Sequence, residues 1–156
     1  MAIHRTLLAL AVACLPCAAH AAELELHATL DGASVVSATE SPGTGEAHAW
    51  LGDDDRVRIE MVFGGLESGA TGAALYEGKA SENGDRVAGI DVGAGQVAAR
   101  VDDVEIALSA EAAGRMRAGE SYLQVETSGY PDGAIRGQLL PQPVRLEDGV
   151  EPEEDD

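Results

Sequence analysis

The sequence is poor in sulfur, in aromatic rings and in positive charge. Its two cysteines, Cys14 and Cys17, both lie near the start. Downstream of them there is no thiol to form a disulfide, a thiolate metal site or a cysteine nucleophile. One Phe, one Trp and three Tyr leave a core to be built from Val, Leu, Ile and Ala with little aromatic filling, and only moderate stability is expected. Lys and Arg number 10 against 28 Asp and Glu, a balance that repels phosphate backbones and excludes nucleic acid as a partner. Histidine is scarce: beyond residue 21 only His27 and His48 occur. No apolar run after that point approaches the roughly 18 residues that a membrane span requires.

What is present begins with an address. A short basic start (His4, Arg5) leads into the apolar run Leu7 to Leu15 and ends in Ala19-His20-Ala21, the A-x-A pattern read by signal peptidase. Residues 1–21 are therefore expected to be a signal peptide, with cleavage before Ala22 and a periplasmic or secreted destination. The rival reading makes Cys14 or Cys17 a lipid-modified terminus, but Ala11-Val12-Ala13-Cys14 lacks the usual leading Leu and Cys17 follows Pro16. Removing the leader takes away Arg5 and no acid, leaving 9 basic against 28 acidic residues and a net charge of about −19. Seven of those acids crowd into Glu147 to Asp156. A run of that kind repels itself, and residues 143–156 are expected to form an acidic disordered tail. A weak contact to a divalent cation or basic partner is its other reading. Residues 22–142 remain as one domain.

Within that domain short strands and turns dominate. Leu24, Leu26, Ala28 and Leu30 alternate with Glu25, His27 and Thr29, the period of a half-buried strand. Residues 46–51 and 56–63 alternate likewise and form a hairpin across Gly52-Asp53-Asp54-Asp55. Those three carboxylates allow a calcium loop, although they lack the alternating ligand spacing and distal Glu of an EF-hand, and a solvated turn is the plainer reading. Residues 87–92 form a further strand, and residues 96–108 one or two more, interrupted at Asp102-Asp103. The period then changes. Ser109 is placed to cap a short helix over residues 110–118, with Glu111 in its first turn, Arg115 and Arg117 in its last and Gly119 just beyond. With about seven to nine strands, no long helix and no βαβ alternation, the pattern predicts an all-β, antiparallel Greek-key sandwich with one short helix before its closing hairpin.

That hairpin spans Gly119 to Leu139. Leu123 and Val125 alternate with Tyr122, Gln124 and Glu126 on one arm, and Ile135 and Leu139 with Arg136 and Gln138 on the other, around the turn residues Ser-Gly-Tyr-Pro-Asp-Gly. Pairing apolar face with apolar face gives a register in which Leu123 meets Leu139, Val125 meets Gly137 and Thr127 meets Ile135. It also sets Glu126 directly opposite Arg136, so a cross-strand ion pair is expected there. The alternative partner for Arg136 is the turn Tyr130-Pro131-Asp132.

The spelling of this segment, Gly119, Tyr122, Val125 and Thr127 followed by Pro131, Gly133, Ile135, Arg136, Gly137, Gln138 and Leu139, strongly resembles the closing signature of the CHRD domain, the module repeated in chordin. Residues 30–36, followed by the Pro-containing loop to Gly43-Thr-Gly, resemble the opening of the same family. The resemblance implies an exported β-sandwich that binds another protein, a polysaccharide or a surface. The family usually carries histidine-apolar-histidine followed by a glycine in the segment corresponding to Thr71 to Gly78, and another histidine ahead of the Thr in the closing hairpin; here those positions hold Ala74, Tyr76 and Glu126. A metal or catalytic role attached to them therefore does not carry over.

No nucleophile with its base is apparent in the chain, and no enzyme activity or cofactor is expected. The preferred reading is a non-catalytic binding or structural module. The alternative is a periplasmic divalent-metal or copper-binding domain using His27 and His48, which lie on the polar faces of adjacent strands. With Ala74, Tyr76 and Glu126 in the histidine positions, no stoichiometric transition metal is expected. The leader gives a direct test: the exported protein should begin at Ala22 and contain no thiol, as intact-mass measurement would show. A mass retaining Cys14 or Cys17 with acyl chains would instead make it a membrane-anchored lipoprotein.

Overall fold

The computed structural model describes residues 22–142. The signal peptide expected over residues 1–21, with Cys14 and Cys17, and the acidic tail expected over residues 143–156 lie outside the described residues. Nine antiparallel strands and one helix follow in the order β1 (Leu24–Asp31), β2 (Thr44–Leu51), β3 (Arg56–Gly64), β4 (Ala70–Glu77), β5 (Arg86–Ile90), β6 (Ala99–Ala107), α1 (Ala110–Arg117), β7 (Ser121–Thr127), β8 (Ile135–Gln138) and β9 (Leu140–Pro141). They make one continuous sheet in the order β5-β4-β7-β8-β1-β2-β3-β6, with β9 on β1. The all-β antiparallel expectation holds, and the sheet is nearly a barrel. Its two halves, β5-β4-β7-β8 and β1-β2-β3-β6, contribute to one apolar core that includes Leu26, Leu30, Ile59, Phe63, Leu75, Leu123, Val125 and Ile135.

The alternation read in the sequence sets these strands. In β1, β2 and β3 every second residue is buried, as expected for an antiparallel sheet with one face on the core. The pairing of β3 with β6 shifts between Ile59 and Met61, and Asp103 takes φ 52°. The interruption expected at Asp102-Asp103 is thus a bulge inside a single strand. The helix ends as anticipated. Ser109 Oγ accepts from Ala112 N at 3.1 Å. At the far end Gly119, at φ 75°, donates to Met116 O while Glu120 N reaches Arg115 O, the paired bonds of a Schellman stop.

The closing hairpin keeps the expected faces but not the expected register. Leu123 lies opposite Gly137, Gln124 opposite Arg136 and Val125 opposite Ile135, a slip of two residues from the pairing of Leu123 with Leu139. Periodicity cannot distinguish the two, because a shift of two returns every side chain to its own face. Backbone bonds at both ends of the ladder carry the register found. Ala134 N donates to Val125 O at 2.8 Å and Leu139 N to Ser121 O at 2.9 Å. Gly137 meanwhile lies where β8 crowds β1: a Cβ there would stand 2.6 Å from Thr29 O. Gly137→Ala should therefore push backbone against backbone and lower stability by about 1–3 kcal/mol, measurable by denaturant unfolding. An unchanged midpoint would show that the strands part without cost.

Candidate functional site

On β4, β7 and β8 the face turned away from the apolar core is largely polar, yet its residues are buried or half-buried. Opposite pairs set its rows: Gly72 with Glu126, Ala74 with Gln124 and Tyr76 with Tyr122 across β4 and β7, then Gln124 with Arg136 and Tyr122 with Gln138 across β7 and β8. Loop residues 32–43 and 78–84 cover it. The first loop is anchored by buried Val35 and by Thr39, whose backbone N donates to Gly32 O and whose hydroxyl donates to Ala134 O at 2.7 Å. The second is held from below by three outward residues of the hairpin. Gln138 Nε2 donates to Gly78 O at 2.8 Å, Arg136 Nη2 to Lys79 O at 2.8 Å, and Tyr122 Oη accepts from Gly84 N at 3.1 Å.

Arg136 is only 1 % exposed, and among the described residues no carboxylate comes within salt-bridge distance of it. Its guanidinium instead lies 3.4 Å from the centroid of the Tyr122 ring, and Nη1 reaches Asn83 Oδ1 at 3.5 Å. Burial pulls the guanidinium pKa below its ordinary value, and Tyr122 opposes that shift. The expected ion pair with Glu126 is therefore absent. In the observed register Tyr122 and Glu126 both lie diagonal to Arg136, and the arginine lies over the ring. The turn Tyr130-Pro131-Asp132 does not hold Arg136 either; Gln124 Nε2 takes Asp132 O at 3.2 Å.

The other side of the stack is a tyrosine–carboxylate pair. Tyr76 packs parallel on Tyr122 with centroids 5.1 Å apart, and its hydroxyl donates to Glu126 Oε1 at 2.6 Å. Two of the three positions where histidines were expected are thus joined in one contact. The third, Ala74, is fully buried opposite Gln124. Burial first, then the hydrogen bond and charge of Glu126, push the Tyr76 hydroxyl well above its ordinary pKa of 10.0. Tyr76, Tyr122, Gln124 and Glu126 line an open cavity of about 500 Å³ with Ser37, Thr39 and the turn residues Tyr130 and Asp132. Gln124 is 6 % exposed, and its Oε1 has no partner.

The closing signature is accounted for by this layer and the core beneath it. Val125, Ile135 and Leu139 fill the core, and Gly119 and Gly137 serve the helix stop and the contact with β1. Thr127 Oγ1 accepts from Tyr130 N at 3.1 Å and so closes the turn that contains Pro131. Gly133, at φ 120°, passes directly over the Gln124 amide, where a Cβ would come within 2.6 Å of its Cδ. Tyr122, Arg136 and Gln138 hold the covering loop.

His27 and His48 are directly paired across β1 and β2, with ring centroids 4.8 Å apart. Glu25 Oε1 is 3.8 Å from His48 Nδ1, and Trp50, carrying Arg58 over its ring at 4.1 Å, stacks on His48. No group of three or more potential ligands gathers among the described residues. In the loop of acids Asp54 Oδ1 accepts from Arg56 N and Asp55 pairs with Arg117 at 2.9 Å, so two of its three carboxylates serve their own chain. The cavity escaped the sequence reading because its outer row looked like an ordinary solvated face. The available signal was that Tyr76 and Glu126 lie on that same face, two rows apart across β4 and β7.

A family model described as the CHRD domain matches residues 26–139. No curated protein and no solved structure matches the chain.

The raised Tyr76 pKa predicts a pH effect of definite sign. The unfolded chain loses this proton near pH 10 and the folded chain only at higher pH, so the contribution of Tyr76 to stability is complete below pH 10 and declines above it. Tyr76→Phe should flatten the alkaline fall of stability, and Glu126→Gln should lower the Tyr76 pKa while leaving it above 10.0, because burial remains. Tyrosinate absorption and unfolding midpoints measured against pH check both; three tyrosines titrating normally would contradict the geometry.

Proposed function

Because the chain belongs to the CHRD-domain family, we propose that it is an exported, non-catalytic binding module whose recognition site is the loop-covered cavity over β4 and β7. The observation that carries this reading is a cavity of about 500 Å³ lined by the half-buried carboxylate of Glu126, which forms no ion pair among the described residues. That volume falls in the range of small-ligand sites. No helix of the described residues is long and apolar enough to cross a membrane, and the leader-type start of the sequence supports export. The non-catalytic reading is supported by the lack of any cysteine beyond residue 17 and by Tyr76, whose raised pKa makes it a poor base at neutral pH.

A second reading, metal binding by His27 and His48, has their direct pairing in its favour. Two imidazoles alone make a weaker site than the three or four protein ligands of resident zinc.

Ser37 lines the cavity mouth and is exposed, so Ser37→Trp should block the site without disturbing the fold. Wild-type protein immobilised against the soluble and polysaccharide fractions of its native envelope should retain a component that Ser37→Trp does not, with unchanged melting temperature. Equal retention by both would place recognition elsewhere, and loss on changing His27 to Ala instead would favour the metal reading.

A further inference from the structure

Resting on that cavity as the binding site, we propose that its ligand is an organic cation, an alkyl chain ending in a primary ammonium or guanidinium, recognised by Glu126 and Asp132. Gln124 Nε2 faces two acceptors, Glu126 Oε1 at 3.4 Å and Asp132 O at 3.2 Å, which fixes the orientation of the amide. The orphan atom is then Oε1, an acceptor that only a donor can satisfy. Glu126 accepts at Oε1 from Tyr76 and Gln124, leaving Oε2 with no donor among the described residues. Glu126 Oε2 is the acceptor open to a ligand, which must therefore bring N–H or O–H groups, whereas Gln124 Oε1 is sealed beneath Gly133.

Charge decides between them. The lining contains two carboxylates, Glu126 and Asp132, and no Lys or Arg. Glu126 is half-buried and forms no ion pair among the described residues. Two cations stand nearby but outside the lining: Arg136 behind Tyr122, and Arg86, whose guanidinium reaches back over Gly89 on β5. A neutral polyol closing over Glu126 would take an unpaired carboxylate further out of water with no counter-charge, whereas an ammonium or guanidinium supplies both the donors and the charge. Tyr130, half-exposed at the rim, offers an aromatic face to the same cation. The strongly acidic chain would also draw such ligands toward it.

The test is calorimetric titration of the full exported chain with agmatine, with end-blocked Gly-Arg-Gly and Gly-Lys-Gly peptides, and with glucose. Saturable binding of at least one cationic probe is expected, weakened tenfold or more by Glu126→Gln and abolished by Ser37→Trp. Glu126→Gln keeps an acceptor for Tyr76 and should leave the melting temperature nearly unchanged. Glu111→Gln, on the exposed face of α1, should leave binding as it was. Tighter binding of agmatine than of the peptides would mark a free amine as the ligand, and the reverse a partner's basic side chain. Failure of every cationic probe, or equal effects of Glu126→Gln and Glu111→Gln, would overturn the proposal. Preferential glucose binding that Ser37→Trp blocks would overturn the cation while leaving the cavity as the site.

Discussion

Arg136 is a charge removed from water without an opposite charge to receive it, and the outer layer of the domain is arranged around that fact. Burying an unpaired ion costs several kcal/mol even after relaxation, so its donors and its charge must be met by something fixed. The ring of Tyr122 at 3.4 Å meets the face of the guanidinium, and the Lys79 carbonyl and Asn83 amide meet its edge. A desolvated cation over an aromatic face is worth about 2 kcal/mol. The rest has to come from the loop itself. Loop 78–84 is therefore bound at Gly78, Lys79 and Gly84 by three residues of one hairpin face, and it cannot lift without exposing the arginine's partners.

This arrangement makes β7 and β8 two-sided. Their inner face, with Leu123, Val125 and Ile135, joins the apolar core, while their outer face carries Tyr122, Gln124 and Arg136 and is buried nearly as completely. A hydrophobic core fixes which face is inward but tolerates some variation in shape; a polar layer must match donors to acceptors one by one. The layer is matched at Tyr76, Tyr122 and Arg136 and unmatched at the side-chain oxygens of Gln124 and Gln138. Gln124 lies beside the cavity, but Gly133 covers its amide, so its orphan oxygen stays sealed beneath the turn.

The histidine pair on the opposite half-sheet offers a contrast. His27 and His48 meet on an outer face that no loop covers, His48 with a side chain 45 % exposed, and their neighbours Glu25, Trp50 and Arg58 make a solvated ladder of ordinary cross-strand contacts. Water screens that ladder, whereas the Tyr76–Glu126 contact is partly withdrawn from it, which is why the tyrosine's pKa is displaced.

The sequence by itself determined what depends on local period and local chemistry. The alternation in residues 24–30, 46–51 and 56–63 set strand faces, and Ser109 with Gly119 set both ends of the helix, because caps and pleats act over a few residues. The closing signature was also legible as a family resemblance, although not for what its members do. Tertiary structure alone decided the register of β7 on β8, since a two-residue slip preserves every face and only the approach of β1 at Gly137 and the fit of the turn separate the alternatives. It also decided the partner of Arg136. In the sequence Glu126 is the nearest opposite charge on the facing strand, but the arginine's surroundings are built by a loop more than fifty residues away, and no local pattern specifies that a chain so distant will close over a polar face and make it an interior.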